Sequence, residues 1–336
     1  MLRIAHLVDD TGPGGVTRYL DFLARDPGMQ AFAQHEVIAV PRANPAIRPI
    51  EADIIVSHLA ITWRGLAGLM LLRARNAGTP LVHVEHSYSA GFVAARVTAR
   101  ARFQTLLRCA YALFDRVVAV SEGQRLWLVS RGLAPAEKVE VIHPCVDLSA
   151  FRALPAVAGP ARTFGLIGRF DAQKGFDIAI LAFRALSGPD LRLNIYGSGA
   201  EEQSLRAAAG TDPRIRFHAF VADPVAAMAQ CDAILMPSRW EPYGIVALEA
   251  RAAGRLLAVS CIDGLRDHAE EASHPCRGLS VTDWTDSLSE MTAHVVTVPR
   301  RRASAPSPER KTREGWLGLF ESLTGEVLRR SPHLVA

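Results

Sequence analysis

Lysine is nearly missing from this chain. Of its 38 basic residues only three are lysines, Lys138, Lys174 and Lys311. With the abundant alanine, this suggests a GC-rich genome in which arginine serves wherever charge alone is needed. A lysine that survives is a candidate for work requiring a compact ammonium, and Lys174 draws attention first. Cysteine is sparse as well: the five, at 109, 145, 231, 261 and 276, are odd in number and form no C-x-x-C pair. That pattern argues against a disulfide framework and fits reduced, mostly buried thiols in a cytoplasm. Long apolar runs are lacking too. The longest candidate, LAGLMLL at Leu66–Leu72, falls far short of the ~20 residues that cross a bilayer. The opening MLRIAHLVDD runs straight into a strand pattern, so no signal peptide is expected. A net charge of +4 is too mild for a nucleic-acid binder. No metal-ligand cluster is visible, and no cofactor is expected.

What is present is alternation. Strand-like runs at Arg3–Val8, His35–Val40, Asp53–Ser57, Pro80–Glu85, Arg116–Val120 and Val139–Ile142 are separated by helical runs at Val16–Arg25, Trp63–Asn76, Phe92–Phe114 and Glu122–Arg131. After a Pro/Gly/Ala-rich linker, Leu154–Ala161, a second set follows. Its strands are Thr163–Ile167, Arg192–Tyr196, Ile215–His218, Ala233–Met236 and Leu257–Ser260, with helices from Gly175, Ala200, Pro224 and Gly244. Such βα alternation predicts an α/β protein with two doubly wound, Rossmann-like lobes facing a central cleft, since ligands bind beyond the carboxyl ends of parallel strands. The expected division is residues 1–155, 156–310 and a final helix within 311–336, with a mobile connection at Arg300–Pro308 and the helix over Arg313–Leu328.

The most informative stretch is PSRWEPYGIVALEARAAG, Pro237–Gly254. A strand ends in Pro-Ser, a loop carries Glu241, Tyr243 and Gly244 follow, and a helix opens at Ile245. The first amides of that helix, near Gly244, Ile245 and Val246, lack intrahelical acceptors and stand at the positive end of its dipole, which makes an anion site. Glu241 and Glu249 frame it. A carboxylate only accepts hydrogen bonds, which suits it to hold a ribose or sugar diol. A second element, FGLIGRFDAQKGFDIAI (Phe164–Ile180), places Gly168 and Arg169 at a strand exit and Lys174 at a helix start. Arginine offers a bidentate fork to phosphate and lysine a movable charge. IYGSGAEEQ (Ile195–Gln203) gives another glycine turn at Gly197 but lacks the third glycine of a dinucleotide fingerprint. In the first half, DDTGPGGVTRYL (Asp9–Leu20) is a glycine-rich loop in which Gly14 and Gly15 are read as making a sharp turn that brings amides to a ligand.

These stretches closely resemble the nucleotide-sugar signature of retaining glycosyltransferases of family 4, which have the two-domain GT-B fold. The pattern PS-x-x-E-x-(F/Y)-G-(I/L)-x-x-x-E-A-x-A-x-G is met at each fixed position, and G-R-x₄-K-G is met from Gly168 to Gly175. The resemblance implies a nucleoside diphosphate sugar donor, UDP- or GDP-linked, bound by the second lobe. It implies that Arg169 and Lys174 neutralise the leaving diphosphate and that Glu241 is catalytic. It also implies that Phe217–Val221 cradles the base, that Gly14 and Gly15 touch the donor phosphates, that His86 sits by the transferred sugar, and that the last helix crosses back onto the first lobe. The reaction expected is metal-independent transfer to a hydroxyl on a glycan or lipid-linked acceptor, in bacterial surface polysaccharide biosynthesis. A GT-B epimerase or phosphorylase, or a non-catalytic sugar-nucleotide-binding protein, stays open at this point. Two elements depart from the family: His143-Pro144-Cys145-Val146-Asp147 replaces N-G-V-D, and Asp263-Gly264-Leu265-Arg266-Asp267 has Asp for a Glu near the donor. His83 reads as core packing, His58 shares the strand-end address of His86, and Ser121 reads as a helix N-cap. Finally, Arg96, Arg100, Arg102, Arg108 and Arg116 on one basic helix, opposed only by Asp115, suggest peripheral contact with an anionic membrane on the inner face of the cell membrane.

Overall fold

The computed structural model describes every residue except 42–49, 158, 220–222, 270–271, 273, 294–305 and 326–336. The chain forms two compact units, one of Met1–Asp147 together with the chain from Pro306, the other of Leu148–Ala305. In chain order the first contains β1 (Leu2–Val8), α1 (Gly15–Arg25), α2 (Pro27–Gln30), β2 (Ala33–Ala39), β3 (Ile54–Ser57), α3 (Trp63–Arg75), β4 (Leu81–Glu85), α4 (Ala90–Arg96), α5 (Arg100–Tyr111), β5 (Arg116–Ala119), α6 (Glu122–Ser130) and β6 (Val139–Val141). The second contains α7 (Ser149–Arg152), β7 (Thr163–Ile167), α8 (Phe176–Arg184), β8 (Arg192–Tyr196), α9 (Glu202–Ala209), β9 (Ile215–His218), α10 (Pro224–Ala229), β10 (Ala233–Met236), α11 (Ile245–Ala252), β11 (Leu256–Ser260), α12 (Arg266–Ala269), β12 (His274–Cys276) and α13 (Val281–Ala293). The chain then re-enters the first unit as α14 (Pro308–Thr324).

Each unit is a six-stranded parallel sheet, ordered β2-β1-β3-β4-β5-β6 in the first and β12-β11-β10-β7-β8-β9 in the second. Strands such as β3, β4 and β10 are buried at every position, as parallel strands covered on both faces must be. The core of the first unit includes Leu107, Tyr111 and Phe114, and that of the second Phe164, Phe183 and Trp284. Strand order reverses between β1 and β3 in one sheet and between β7 and β10 in the other. Neighbouring strands there send their following loops to opposite sides and leave a crevice for ligands. In the second unit these are the two loops the sequence had singled out, after β7 and after β10.

The expected strands are present. β12 was not anticipated, because three residues with Pro275 at the centre give almost no strand signal. The single helix expected over Phe92–Phe114 is instead two, α4 and α5, broken where Val97 and Ala99 leave helical geometry. Pro308 is no part of a connection; it opens α14 beneath an N-cap from Ser307, where its missing N–H has no cost. Residues 300–305 of the expected mobile connection lie outside the described residues. Ser121 caps α6 by accepting from the Gln124 amide. Within the first unit, α14 is anchored by Arg313, whose guanidinium donates to both oxygens of Asp26 at 2.7 Å. Trp316 Nε1 donates to Tyr19 Oη at 2.8 Å. Among the described residues no helix is long and apolar enough to cross a membrane, and all five cysteines are free.

Candidate active site

In the second unit the loop after β7 is pinned from below by Phe170, which is buried against Phe176 and Phe217. Asp171 accepts from the Gln173 amide and starts a tight turn, and Gly175 reverses the chain at φ 62° to begin α8. A side chain at Gly175 would collide with the Pro237 carbonyl. Likewise one at Gly197, φ 152°, would collide with the Gly168 carbonyl. The glycine turns after β7 and β8 and the Pro-Ser exit of β10 therefore pack backbone against backbone, which only glycine permits at these φ values.

That packing brings Lys174 to Glu241. Lys174 Nζ donates to Glu241 Oε2 at 2.5 Å, and Ser238 Oγ approaches the same oxygen at 3.4 Å. The two charged side chains are 17% and 10% exposed, a setting in which either charge alone would carry a desolvation cost. Glu241 Oε1 takes no hydrogen bond from the described residues. The Gly264 amide donates to the Glu241 carbonyl at 2.9 Å, which fixes the Asp263–Asp267 element beside it. Asp263 stands at φ 37°, the one non-glycine residue at positive φ among the described residues, and such strain concentrates at functional sites.

Gly244, at φ 93°, is the N-cap of α11, and a side chain there would meet Leu265. The amides of Ile245 and Val246 head the helix without intrahelical acceptors and belong to half-buried residues. Tyr243 is buried, its ring 4.5 Å from His268. Glu249, the second carboxylate expected to frame the helix start, lies on α11 itself. It is wholly buried, because Ala247, Leu248, Glu249 and Ala250 are buried in succession and this part of α11 has no solvent face. Arg169 is exposed and has no side-chain partner among the described residues, a free cation on the same loop as Lys174. Phe217 and His218 of the expected base cradle are half-buried, with the His218 ring stacked on Tyr196 at 4.4 Å; Phe220 and Val221 lie outside the described residues.

One residue the sequence reading passed over is Arg239. Its guanidinium donates to both carboxylate oxygens of Asp177, at 2.9 and 2.6 Å, and to the Ala172 carbonyl, while its amide donates to the Gln173 carbonyl. It ties the β10 loop to the loop carrying Lys174. The Asp177 carboxylate faces its own burial, yet the bond to Arg239 holds it below the usual range. Only its presence inside the Pro237–Gly254 motif could have pointed to it.

In the first unit the glycine loop corrects the sequence expectation. Gly14 has φ 176°, extended backbone open to any residue, and a Cβ there would meet nothing within 4 Å. Gly15 is simply the first residue of α1. The chain bends over Gly12–Gly14, but at Gly14 itself the backbone is extended and needs no glycine. His86 follows β4, half-buried, edge-on to Tyr19 of α1 at 5.9 Å. Its Nε2 lies 2.8 Å from His58 Nδ1. His83 is buried between Tyr111 and Phe114. The basic stretch is also less open than expected. Asp115 is taken by Arg73, Arg116 faces Glu140, and Arg108 caps the end of α6 through the carbonyls of Arg131 and Gly132.

Comparison with known proteins gives a consistent picture. Residues 161–297 match the family model described as glycosyl transferases group 1, and residues 11–150 match that of glycosyltransferase family 4. A D-inositol 3-phosphate glycosyltransferase of Arthrobacter sp. is 30% identical over 71% of this chain and 62% of its own length. One from Pseudarthrobacter chlorophenolicus is 29% identical over 92% and 78%. The chain thus spans about three fifths of the first of these relatives. Among solved structures, Anabaena HepE in complex with UDP and glucose superposes with a TM-score of 0.65 at 18% identity, covering 96% of this chain and 95% of that one. Sucrose-phosphate synthase from Thermosynechococcus elongatus gives 0.67 at 18%, covering 95% of each chain. At that identity the likeness establishes the fold, GT-B.

Proposed function

We propose, since this chain belongs to glycosyltransferase family 4, that it moves a sugar from a nucleoside diphosphate sugar to a hydroxyl acceptor with retention of anomeric configuration. The observation that carries this is the meeting of Lys174 and Glu241 beside the unpaired amides of Ile245 and Val246, at the point where strand order reverses. Positive charge and amides suit a pyrophosphate. The open Oε1 of Glu241 suits a sugar hydroxyl, and Glu249 is assigned to the ribose. Arg169, Lys174 and the α11 amides would stabilise charge on the departing diphosphate as the anomeric C–O bond breaks, which is where fixed electrostatics lower a barrier most. The anomeric centre gains oxocarbenium character. The acceptor oxygen bonds it from the face the diphosphate leaves, and the acceptor proton goes to the departing phosphate oxygen. Protein cations replace a divalent ion in this scheme.

Of the two donor classes, UDP- and GDP-sugars, the first is supported by the complexes of HepE with UDP and with UDP-glucose. Names among the similar proteins, D-inositol 3-phosphate glycosyltransferase and lipopolysaccharide outer core galactosyltransferase, support a hydroxylated acceptor, here assigned to a glycan or lipid-linked carrier made at the inner face of the cell membrane. Exposed Arg96, Arg100 and Arg102, the last over the ring of half-exposed Trp63, are assigned to contact with anionic lipid; sedimentation with anionic liposomes at low salt tests that contact. The transferase reading is tested by product formation from a panel of UDP- and GDP-sugars. Lys174→Ala and Glu241→Ala should each abolish transfer and EDTA should not. Full activity in either variant overturns the assignment.

A further inference from the structure

Four histidines stand in one hydrogen-bonded row across the first unit's sheet. His35 lies on β2, His6 on β1, and His58 and His86 directly follow β3 and β4. His35 Nδ1 is 2.9 Å from His6 Nε2, His6 Nδ1 is 3.0 Å from His58 Nε2, and His58 Nδ1 is 2.8 Å from His86 Nε2. The register explains the alignment. His35 pairs with Ile4, His6 with Val56 and Ser57 with His83, so each step to the next strand advances two residues toward the carboxyl ends. A two-residue step keeps all four side chains on one face. Phe32, Trp316 and Phe320 close over the His35 and His6 rings and Tyr19 over His86. The row is extended rather than convergent, and among the described residues no three His, Cys, Asp or Glu side chains gather around a point that could hold a metal ion.

Burial keeps these rings uncharged at neutral pH. It pushes His6 and His58 well below their ordinary value and His35 and His86 down to about 4. Glu85, the carboxylate felt by His86, is occupied by the amides of Ser87 and Tyr88 and the hydroxyl of Tyr111.

A neutral imidazole has one N–H and one lone pair. Both nitrogens of His6 and of His58 are engaged by neighbouring rings, so each ring donates to one side and accepts from the other. All three bonds must therefore run in the same direction, and the row has two states. In one, every proton sits on Nδ1 and His86 ends the row with an Nδ1–H. In the other, every proton sits on Nε2 and His35 ends it with an Nε2–H. Among the described residues His35 Nε2 is buried with no hydrogen-bond partner. An orphaned buried N–H is the rarer and less tolerated of the two kinds of orphan, which selects the first state.

We infer that His35, His6 and His58 act as positioning residues that hold His86 in its Nδ1–H tautomer, so that His86 offers substrate a hydrogen-bond donor and not a base. Assigning the accepting oxygen to a sugar or phosphate rests on the transferase reading; the tautomer does not. The test is a two-bond ¹H–¹⁵N correlation spectrum of the full chain with ¹⁵N-labelled histidine, at pH 7.5 and without substrate. His86 should show a protonated Nδ1 and a bare Nε2, as should His6, His35 and His58. An Nε2–H pattern or an imidazolium at His86 overturns the inference. His58→Phe keeps a ring in the stack on His86, 5.1 Å away, but removes the donor, so His86 should become a mixture of tautomers. A pure Nδ1–H signal in that variant shows that the row does not set it. Should the variant fail to fold, the wild-type spectrum decides alone. Since no substrate is present, this result is independent of whether the chain transfers sugar.

Discussion

The carbonyl oxygen of Pro237 occupies the space that a side chain on Gly175 would need. Two loops distant in sequence are thereby locked together, with Lys174 on one and Glu241 on the other. Gly175→Ala would combine an unfavourable φ of 62° with a backbone collision, and must push the loops apart. We expect a loss of about 1–3 kcal/mol in stability and a larger loss in nucleotide affinity. Chemical denaturation and calorimetric titration check both; unchanged affinity would show that the loops need not touch.

Arg239 fastens the same loops through Asp177 and two carbonyls. Arg239→Lys keeps the charge but loses the fork. Donor KM should rise by about tenfold, on the scale of one charge-assisted hydrogen bond, with kcat nearly unchanged, as steady-state kinetics would show. A fall in kcat alone would place Arg239 in the chemistry.

The sheets were legible in the sequence because parallel strands buried on both faces read as short apolar runs between helical stretches. The meeting of Lys174 with Glu241 was legible from Gly168–Gly175 and Pro237–Gly254, where motif and spacing are local. What was hidden depends on register. His6, His35, His58 and His86 are scattered in sequence, and only the two-residue stagger between strands aligns them. The break between α4 and α5 was hidden because Val97-Thr98-Ala99 contains neither glycine nor proline. Gly14 misled in a narrower sense: the chain bends over Gly12–Gly14, yet Gly14 itself has an extended φ that any residue adopts.

Trp316 is fully buried between the histidine row and Phe320, and holds Tyr19. Trp316→Ala should destabilise the protein by about 3–5 kcal/mol. Trp316→Phe, which loses chiefly the bond to Tyr19, should cost about 1 kcal/mol. Urea unfolding measures the difference, and equal effects would contradict the packing role.

The row also predicts acid sensitivity. Unfolded imidazoles take up protons near their ordinary value of 6.5, while folded His35 and His86 resist until about 4. As pH falls from 6.5 toward 4 the unfolded state binds more protons, so stability present above 6.5 is lost across that window. His35→Phe should therefore lose less melting temperature between pH 7.5 and pH 5 than wild type does. Identical losses would show that the row is not buried in its neutral form.

The most direct measurement is calorimetric titration of UDP and GDP into wild type and Lys174→Ala. One of the two nucleotides should bind wild type, and the variant should bind it at least about tenfold more weakly, the loss of one charge-assisted contact to phosphate. Binding of neither nucleotide, or equal affinity in the variant, would contradict a diphosphate site built around Lys174 and Glu241.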